Sequence, residues 1–366
     1  MAEQPIYVPI LKGKEGEYGA LEALATSAND VRDWMMPLVE VPDIPYDYES
    51  EGSVKSLDQH VSGIADRLRK CWQDRPLFIE LPWSEGEERL SDGRIALEAV
   101  LSDCAHRGVA AIPVLSRKKS AGYLSAAKKY SVSASVGLCL RLHVGDFEED
   151  IDLESEIGRI LSGLNAAVSS VDLVVDLEDL GPDTGRALLV ARSLFSMIPS
   201  KDTWRRVILV AASFPEDLSE VDAATITTLP RREWDLWKTL QRRQGLLPRR
   251  DLIFGDYGIA HPVIKELDPR TMRMSASIRY TTPESWLVLK GRNVRQYGFD
   301  QYFELSKALV KRPEYSGRDF SWGDRYISDC SEGMTGPGNA TTWRKVGTNH
   351  HLTMVAQQLA NLLPAA

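Results

Sequence analysis

Residues 171–176 read Val-Asp-Leu-Val-Val-Asp, a short apolar run that ends in a carboxylate. Counting this one, eight such runs occur before residue 257. The others are 7–11 (YVPIL), 37–39 (PLV), 77–79 (LFI), 110–115 (AAIPVL), 136–140 (VGLCL), 207–212 (VILVAA) and 252–255 (LIFG). Apolar runs of about five residues are typical of strands in a parallel sheet that is covered on both faces.

Segments with helical periodicity separate these runs. Val61, Ile64 and Leu68, for example, fall on one face of a helix. The runs recur on average about every 35 residues, and eight strand–helix units of this size predict an α/β fold, a (β/α)8 TIM-like barrel. A doubly wound open sheet is the alternative. Such sheets often carry a glycine-rich phosphate turn, and the sequence has neither GxGxxG nor GxxxxGK[ST].

After residue 256 the pattern changes. Residues 275–280 (SASIRY) and 286–290 (WLVLK) predict a hairpin, 297–310 a helix, 315–340 an irregular loop and 349–363 a last helix. We therefore expect residues 1–260 to supply the eight units. Residues 261–366 would form a hairpin insertion, the final barrel helix and a lid, as an extension over the barrel mouth on the same domain.

Composition excludes several classes of protein. Of 366 residues 43% are hydrophobic and 26% charged, which is ordinary for a globular chain and excludes a disordered or fibrous one. No run approaches the ~18 apolar residues of a membrane span, so we expect a cytoplasmic protein with no membrane contact. The four cysteines form no CxxC pair, which favours buried apolar roles. The net charge of −8 argues against a surface that binds nucleic acid everywhere.

Charged residues follow most of the apolar runs. In a barrel, a charged side chain at the end of a strand avoids a large desolvation cost only at the open mouth, at the carboxyl ends of the strands. The seven residues concerned are Lys12, Glu40, Glu80, Arg117, Arg141, Asp176 and Asp256.

Two interpretations of these charges stay open. In the first they form a site, with Glu40, Glu80 and Asp176 as catalytic carboxylates. Glu80, Asp176 and Asp256 could hold a divalent cation, Mg²⁺ being possible, through oxygen ligands. Three basic residues could then neutralise a phosphate or carboxylate, namely Lys12, Arg141 and Arg279. In the second interpretation the charges pair with one another and close the barrel. No histidine cluster supports a zinc hydrolase, since His143 alone lies near a strand end.

The C-terminal part adds further candidates. Adjacent histidines cannot both face one metal from a helix, so one of His350 and His351 is expected to pack. His351 is the candidate that could reach the mouth as an acid or base. Residues 320–326 (FSWGDRY) contain Asp324 and Arg325 and could close over a ligand or plug the core.

Residues 231–250 form a basic segment, with seven arginines and lysines against two carboxylates. Trp234 and Trp237 share a helix face, so we expect them to pack inward while the arginines fringe the edge. The segment predicts either a nucleic-acid-binding face or a solvated, partner-binding helix. The nucleic-acid-binding candidates are Arg242, Arg243, Arg249 and Arg250.

Four stretches together resemble the beta-protein family, named after a bacteriophage protein and found in phages and bacterial mobile elements. They are 7–14 (YVPILKGK), 37–40 (PLVE), 320–327 (FSWGDRYI) and 343–352 (WRKVGTNHHL). The resemblance implies a setting in conflict between bacteria and phages, often beside nuclease or defence genes, and brings no established reaction. It adds weight to Lys12, Glu40, Asp324, Arg325, Arg344 and His351.

Three functions are compatible with the sequence. The first is a barrel protein of phage conflict that binds a nucleic acid or nucleotide phosphate at the mouth through Lys12, Arg141, Arg279 and Arg344. The second is a Mg²⁺-dependent phosphoester hydrolase. The third is a non-catalytic scaffold that binds a partner protein from the same gene neighbourhood. The substrate, the metal and the oligomeric state stay open.

Overall fold

A computed structural model describes residues 5–26, 30–47, 52–148, 151–242, 252–263 and 274–362. Its strands are β1 (Tyr7–Leu11), β2 (Leu38–Glu40), β3 (Tyr46–Asp47), β4 (Gly52–Ser53), β5 (Leu77–Glu80), β6 (Ala111–Leu115), β7 (Leu138–His143), β8 (Val171–Asp179), β9 (Arg206–Ala212), β10 (Thr225–Pro230), β11 (Ile253–Asp256), β12 (Ser275–Thr281) and β13 (Ser285–Asn293).

The helices are α1 (Glu15–Leu24), α2 (Leu57–Val61), α3 (Ile64–Trp72), α4 (Ala96–His106), α5 (Ala121–Ala134), α6 (Leu153–Leu164), α7 (Thr184–Met197), α8 (Arg232–Arg242), α9 (Val294–Tyr297), α10 (Gln301–Val310), α11 (Trp322–Ser331) and α12 (Ala340–Ala360). Short 3₁₀ turns occur at Arg32–Trp34, Val144–Phe147 and Val168–Ser170.

Eight parallel strands close into a barrel in the order β1-β11-β9-β8-β7-β6-β5-β2. The predicted TIM-like fold is therefore confirmed, and each of the eight apolar runs lies on one barrel strand. Alternate residues of a strand point to opposite faces. On β8, Leu173 and Val175 pack in the layer between strands and helices, whereas Val174 packs inside the barrel. Both faces are buried, and each fully buried valine or leucine contributes roughly 1.5–3 kcal/mol.

Helix α12 completes the outer layer. Its Leu352, Val355 and Leu359 belong to the core between strands and helices, and the Asn349 amide donates to the Ala20 carbonyl of α1 at 3.1 Å. The four cysteines are free and buried, as expected.

The predicted hairpin is formed by β12 and β13, and β10 joins it as a third strand that sequence reasoning missed. One face of this sheet packs with Phe214 and Ile259, which lie in the loops after β9 and β11. Helices α10 and α11 cover the other face. The extension is thereby held against the C-terminal end of the barrel, beside its seventh and eighth strands.

Two helix predictions need correction. Helix α11 lies inside the stretch expected to be an irregular loop, because Ser321 caps it by accepting from the Asp324 amide at 3.1 Å and its apolar side pairs with α10. Helix α12 begins at Ala340 rather than near residue 349, where Asn339 caps it by accepting from the Thr342 amide at 3.0 Å. No helix in the described ranges is long and apolar enough to cross a membrane.

Candidate functional site

Six side chains converge at the C-terminal end of the barrel and are here called the mouth cluster: Lys12, Glu40, Glu80, Arg141, Asp176 and Tyr257. Four come from strands and two from the residues that follow β1 and β11. All but Tyr257 were predicted from the charges at the ends of the runs. The sequence signal for Tyr257 was available, since it directly follows the strand-end residue Asp256.

Arg141 lies at the centre of the cluster. Its Nη1 donates to Glu40 Oε1 at 2.8 Å and also to Glu80, and its Nη2 donates to Asp176 Oδ2 at 2.6 Å. Tyr257 accepts from Nη2 at 2.7 Å and donates its own proton to Asp176 at 2.6 Å. The Lys12 ammonium pairs with Glu40 and lies 4.8 Å from the centre of the Tyr257 ring. One guanidinium, with 2% of its side chain exposed, thus holds three carboxylates.

Electrostatics favour the charged form of two of these carboxylates, Glu40 and Asp176. Burial by itself raises the pKa of Glu40 and Asp176, but the charges and hydrogen bonds of the neighbours together outweigh it. At Glu40 these neighbours are Arg141 and Lys12, and at Asp176 they are Arg141, His143 and Tyr257. Both pKa values are therefore lowered. Behind Glu80, the Lys119 ammonium donates to the Leu81 and Ser84 carbonyls at 2.8 and 2.6 Å. Closure by salt bridges, one of the two interpretations of the sequence, is the arrangement found for the mouth cluster.

A more accessible pair lies beside the cluster. His143 Nδ1 is 3.0 Å from Glu178 Oε1 and 3.9 Å from Asp176 Oδ2, and 33% of the imidazole is exposed. Burial lowers the pKa of His143, but the hydrogen bond to Glu178 and the nearby carboxylate charges together outweigh it, and the pKa is raised overall. Glu178 adopts a left-handed backbone (φ 54°) at an irregularity in the β8–β9 pairing.

Asp256 and His351 do not belong to the mouth cluster, which corrects two predictions. Phe254 and Asp256 face the helix layer, while Ile253 and Tyr257 face the interior. Asp256 accepts from the Tyr7 hydroxyl at 2.7 Å and from His351 Nε2 at 2.9 Å. The Thr281 hydroxyl lies 2.8 Å from His351 Nδ1, and burial lowers the pKa of His351. Both nitrogens of this fully buried ring thus have partners behind the strand wall, and the ring does not reach the mouth.

The same geometry separates the expected metal ligands. Glu80 and Asp176 bind Arg141, whereas Asp256 lies behind the strand wall. Within the described residues, no group of three or more histidines, cysteines and carboxylates could hold a metal ion.

Asp324 is also fully bonded inside the protein, contrary to its predicted role as a ligand contact. Its carboxylate accepts from the Tyr280 hydroxyl at 2.8 Å and the Ser321 hydroxyl at 2.6 Å, and lies 2.8 Å from His350 Nδ1. His350 Nε2 lies 2.7 Å from the Thr281 carbonyl. This network ties α11 and α12 to the hairpin, and the neighbouring Arg325 is exposed on α11.

Arg279 and Arg344, here called the arginine pair, are placed differently. Both are half-buried, and neither has a carboxylate ion-pair partner in the part of the chain that the structure describes. Arg279 donates to the Ile259 carbonyl at 2.8 Å and covers the Phe214 ring at 4.8 Å. Burial and then the nearby Arg344 charge lower the pKa of Arg279. Nη1 of Arg344 is buried and has no hydrogen-bond partner among the described residues.

The structure describes only part of the basic segment. Arg242 is exposed at the end of α8, while Arg243, Arg249 and Arg250 lie outside the described residues. The inward packing of the two tryptophans is confirmed, since the Trp234 and Trp237 rings stack at 5.4 Å and Trp234 meets Phe254 edge-on at 5.2 Å.

Arg231 is fully buried rather than at the edge of that face. It donates to Gln358 at 2.8 Å and lies 3.4 Å from Glu233. Glu233 also accepts from the Ser213 hydroxyl at 2.6 Å, and burial raises its pKa to about 7. Sequence reasoning missed Glu233 because a carboxylate in the first turn of a helix usually faces solvent.

A family model described as Beta protein matches residues 7–357, nearly the whole chain. The chain belongs to the Beta protein family. The matched residues include every strand of the barrel and both members of the arginine pair. No curated protein matches this member of the family.

Among solved structures, this Beta protein is similar to a type I 3-dehydroquinate dehydratase from Clostridium difficile with covalently modified comenic acid. The identity is 14% and the TM-score 0.39, over 72% of this chain and 89% of the other. At this level of similarity the match indicates nothing about a reaction.

Proposed function

We propose that this Beta protein binds the phosphate of a nucleotide or nucleic acid at the arginine pair, at the C-terminal end of its barrel. The observation that carries the proposal is the pair itself: two half-buried guanidiniums on packed elements, neither with a carboxylate ion-pair partner among the described residues. Strand β12 packs on α12 at this point, since a side chain at Gly347, one turn after Arg344, would lie 2.9 Å from the Arg279 carbonyl. A charge that has left water without a partner is costly. A bound phosphate removes that cost, because guanidiniums bind its oxygens in a bidentate manner.

The surroundings keep this site positive. Glu17 of α1 interacts electrostatically with Arg344, and burial raises the pKa of the Glu17 carboxyl, which disfavours its charged form. Lys12 and Lys14 act on the same carboxylate. By analogy, barrels of this class often bind phosphate at the loops after their seventh and eighth strands. Phe214 and Ile259, the contacts of Arg279, lie in those loops.

The mouth cluster does not favour the alternative of a Mg²⁺-dependent hydrolase. Lys12 and Arg141 pair with all three carboxylates there, so oxygens that a metal would need are taken by internal partners. Phosphate binding therefore has the better support.

Thermal unfolding and calorimetry with pyrophosphate, nucleotides and short single-stranded DNA and RNA test the proposal. A ligand at 100 times its Kd should stabilise the protein by about 2.7 kcal/mol. The double variant Arg279→Met, Arg344→Met should lose this effect, and nucleic-acid binding should lose about two units of its salt slope. Arg159→Met is the matched control, since Arg159 is 58% exposed and paired with Glu156 on α6.

If none of these ligands changes the unfolding temperature, or if the double variant binds as tightly as the natural chain, the phosphate site is wrong. The scaffold function would then be favoured.

The proposal includes a setting in conflict between bacteria and phages, supported by the phage and mobile-element occurrence that the family resemblance implies. Expression of the chain in a bacterial host should change the plating efficiency of at least one phage in a panel. The double arginine variant should abolish the change. Equal plating of the whole panel with either chain would contradict this part of the proposal.

A further inference from the structure

A recess separate from the arginine pair lies at the C-terminal ends of β1, β2 and β5. Its volume is about 180 Å³, and its lining includes Lys12, Glu40, Pro42, Asp43, Trp83 and Pro262. The recess therefore joins the edge of the mouth cluster to the segment that follows β11.

The walls of the recess are flat and rigid. The Trp83 indole donates to the Val41 carbonyl at 3.2 Å, and its ring meets His60 edge-on at 5.9 Å. Proline rings at 42 and 262 add apolar wall. Gly13 allows the rim to close, since it has a φ of +60° and a side chain there would lie 2.6 Å from the Glu40 carbonyl. Fixed aromatic and proline surfaces favour a planar ring, which can stack on the indole.

The floor offers one donor and the rim one acceptor. The Lys12 ammonium has three N–H groups and pairs with one oxygen of Glu40, so it has donor capacity for a ligand. Asp43 is exposed at the rim, where Oδ1 accepts from the Ile44 amide at 2.6 Å and leaves further acceptor capacity. Because Glu40 neutralises Lys12 and Asp43 is acidic, an anion would meet repulsion here, whereas an uncharged polar ring would not.

We propose that this recess binds a nucleobase, stacked on Trp83 with a ring acceptor facing Lys12 and an amino group facing Asp43. The proposal rests on the proposed function and deepens it to a nucleotide. A recess of 180 Å³ is smaller than the ~300 Å³ at which pockets for whole ligands begin, so it accommodates a base alone. The segment after β11 links both sites: Pro262 lines the recess, and the Ile259 carbonyl holds Arg279 of the phosphate site.

Two probes separate the base site from the phosphate site. Nucleosides carry a base without phosphate, and pyrophosphate carries phosphate without a base. Calorimetry of the full chain should show nucleoside binding that falls about tenfold or more in Trp83→Leu, as expected for lost stacking on an aromatic ring. Trp83→Phe should retain affinity within about threefold of the natural chain, since a stacking surface is kept. The Arg279→Met, Arg344→Met variant should bind nucleosides normally and lose pyrophosphate.

Trp322→Leu is the matched control. Trp322 is a half-buried tryptophan of α11 that stacks on Tyr326 at 5.6 Å and belongs to a different apolar cluster. It should leave nucleoside affinity unchanged. The double variant Lys12→Met, Glu40→Gln removes the donor while keeping the charge balance, and should weaken nucleoside binding about tenfold.

The outcomes are distinguishable. If pyrophosphate binds and no nucleoside does, or if Trp83→Leu binds nucleosides as well as the natural chain, the base site is overturned and the phosphate site stands. If nucleosides bind in a Trp83-dependent manner and pyrophosphate does not bind, the base site stands and the phosphate site falls.

Discussion

The mouth cluster and the arginine pair lie at the same end of one barrel, yet their arginines have opposite surroundings. Arg141 is bonded to three carboxylates and a tyrosine, all inside the barrel. Arg279 has an aromatic and a carbonyl contact, and Nη1 of Arg344 is buried without a hydrogen-bond partner; neither arginine has a carboxylate ion-pair partner among the described residues. A cluster of charges at strand ends can thus close a barrel by internal ion pairs. The proposed phosphate site follows instead from arginines that have no ion-pair partner among the described residues.

Arg141→Met should break the mouth cluster and have the largest effect. It leaves three buried carboxylates close together without their common counterion, and breaking a buried ion pair typically costs 3–5 kcal/mol. We expect a loss of about that size in the free energy of unfolding by urea at pH 7, and a smaller loss near pH 4, where the carboxylates can take up protons. Arg159→Met should change it by less than about 0.5 kcal/mol. A loss below about 1 kcal/mol for Arg141→Met would show that the cluster is not a structural lock.

Glu233 extends the comparison to a carboxylate. It is buried like those of the mouth cluster, but its ion pair with Arg231 is longer than theirs with Arg141. Arg231 approaches it at 3.4 Å, and its pKa is raised to about 7 from an ordinary value of 4.5. The folded state then binds the proton more tightly than the unfolded state, so the free energy of unfolding falls as pH rises from 4.5 to 7. The difference amounts to about 3 kcal/mol.

Glu233→Gln cannot ionise, so its loss of stability between pH 5 and pH 8 should be smaller than that of the natural chain by about 2.5 kcal/mol, the part of this difference that falls within that window. Urea unfolding at several pH values measures it. Glu304→Gln on α10, where the carboxylate is 76% exposed, is the control and should follow the natural chain. Parallel profiles for Glu233→Gln and the natural chain would contradict the raised pKa.

Gly16→Ala tests how tightly the arginine pair is held. A side chain at Gly16 would lie 2.7 Å from Arg344 Cγ and 2.9 Å from the Thr341 carbonyl, so α1 and α12 must separate or Arg344 must move. We expect a loss of about 1–3 kcal/mol in stability, as for other overpacked contacts, together with weaker pyrophosphate binding. Gly158→Ala is the control: Gly158 is exposed in the middle of α6 with nothing within 4 Å, and alanine there should stabilise slightly.

The sequence predicted the barrel because apolar runs and helical segments alternate with a regular period. It also predicted the residues that meet at Arg141, since the carboxyl ends of all barrel strands lie at the same mouth. It could not assign the face of Asp256. Both faces of a barrel strand are apolar, so a run such as 252–255 carries no alternation that tells inside from outside.

Other features lay beyond local patterns. The placement of Arg279 relative to Arg344 depends on how the hairpin packs against α12, which no spacing in the sequence encodes. Helix α11 was hidden because the glycines on either side of it resemble a loop. Its Trp322, Tyr326 and Cys330 do follow helical spacing, and that signal was present in the sequence.

Arg344→Met should have the smallest effect on the free energy of unfolding. It tests the comparison between the mouth cluster and the arginine pair most directly. The substitution is chemically the same as Arg141→Met, but here it removes a charge whose Nη1 is buried without a partner among the described residues. Replacing an unpaired charge with an apolar side chain of similar length removes a desolvation cost. The free energy of unfolding by urea should therefore stay within about 1 kcal/mol of the natural chain or rise. Adding pyrophosphate should reverse the order, since the natural chain alone gains binding energy. A loss near that of Arg141→Met would show that Arg344 serves the fold in the same way as Arg141.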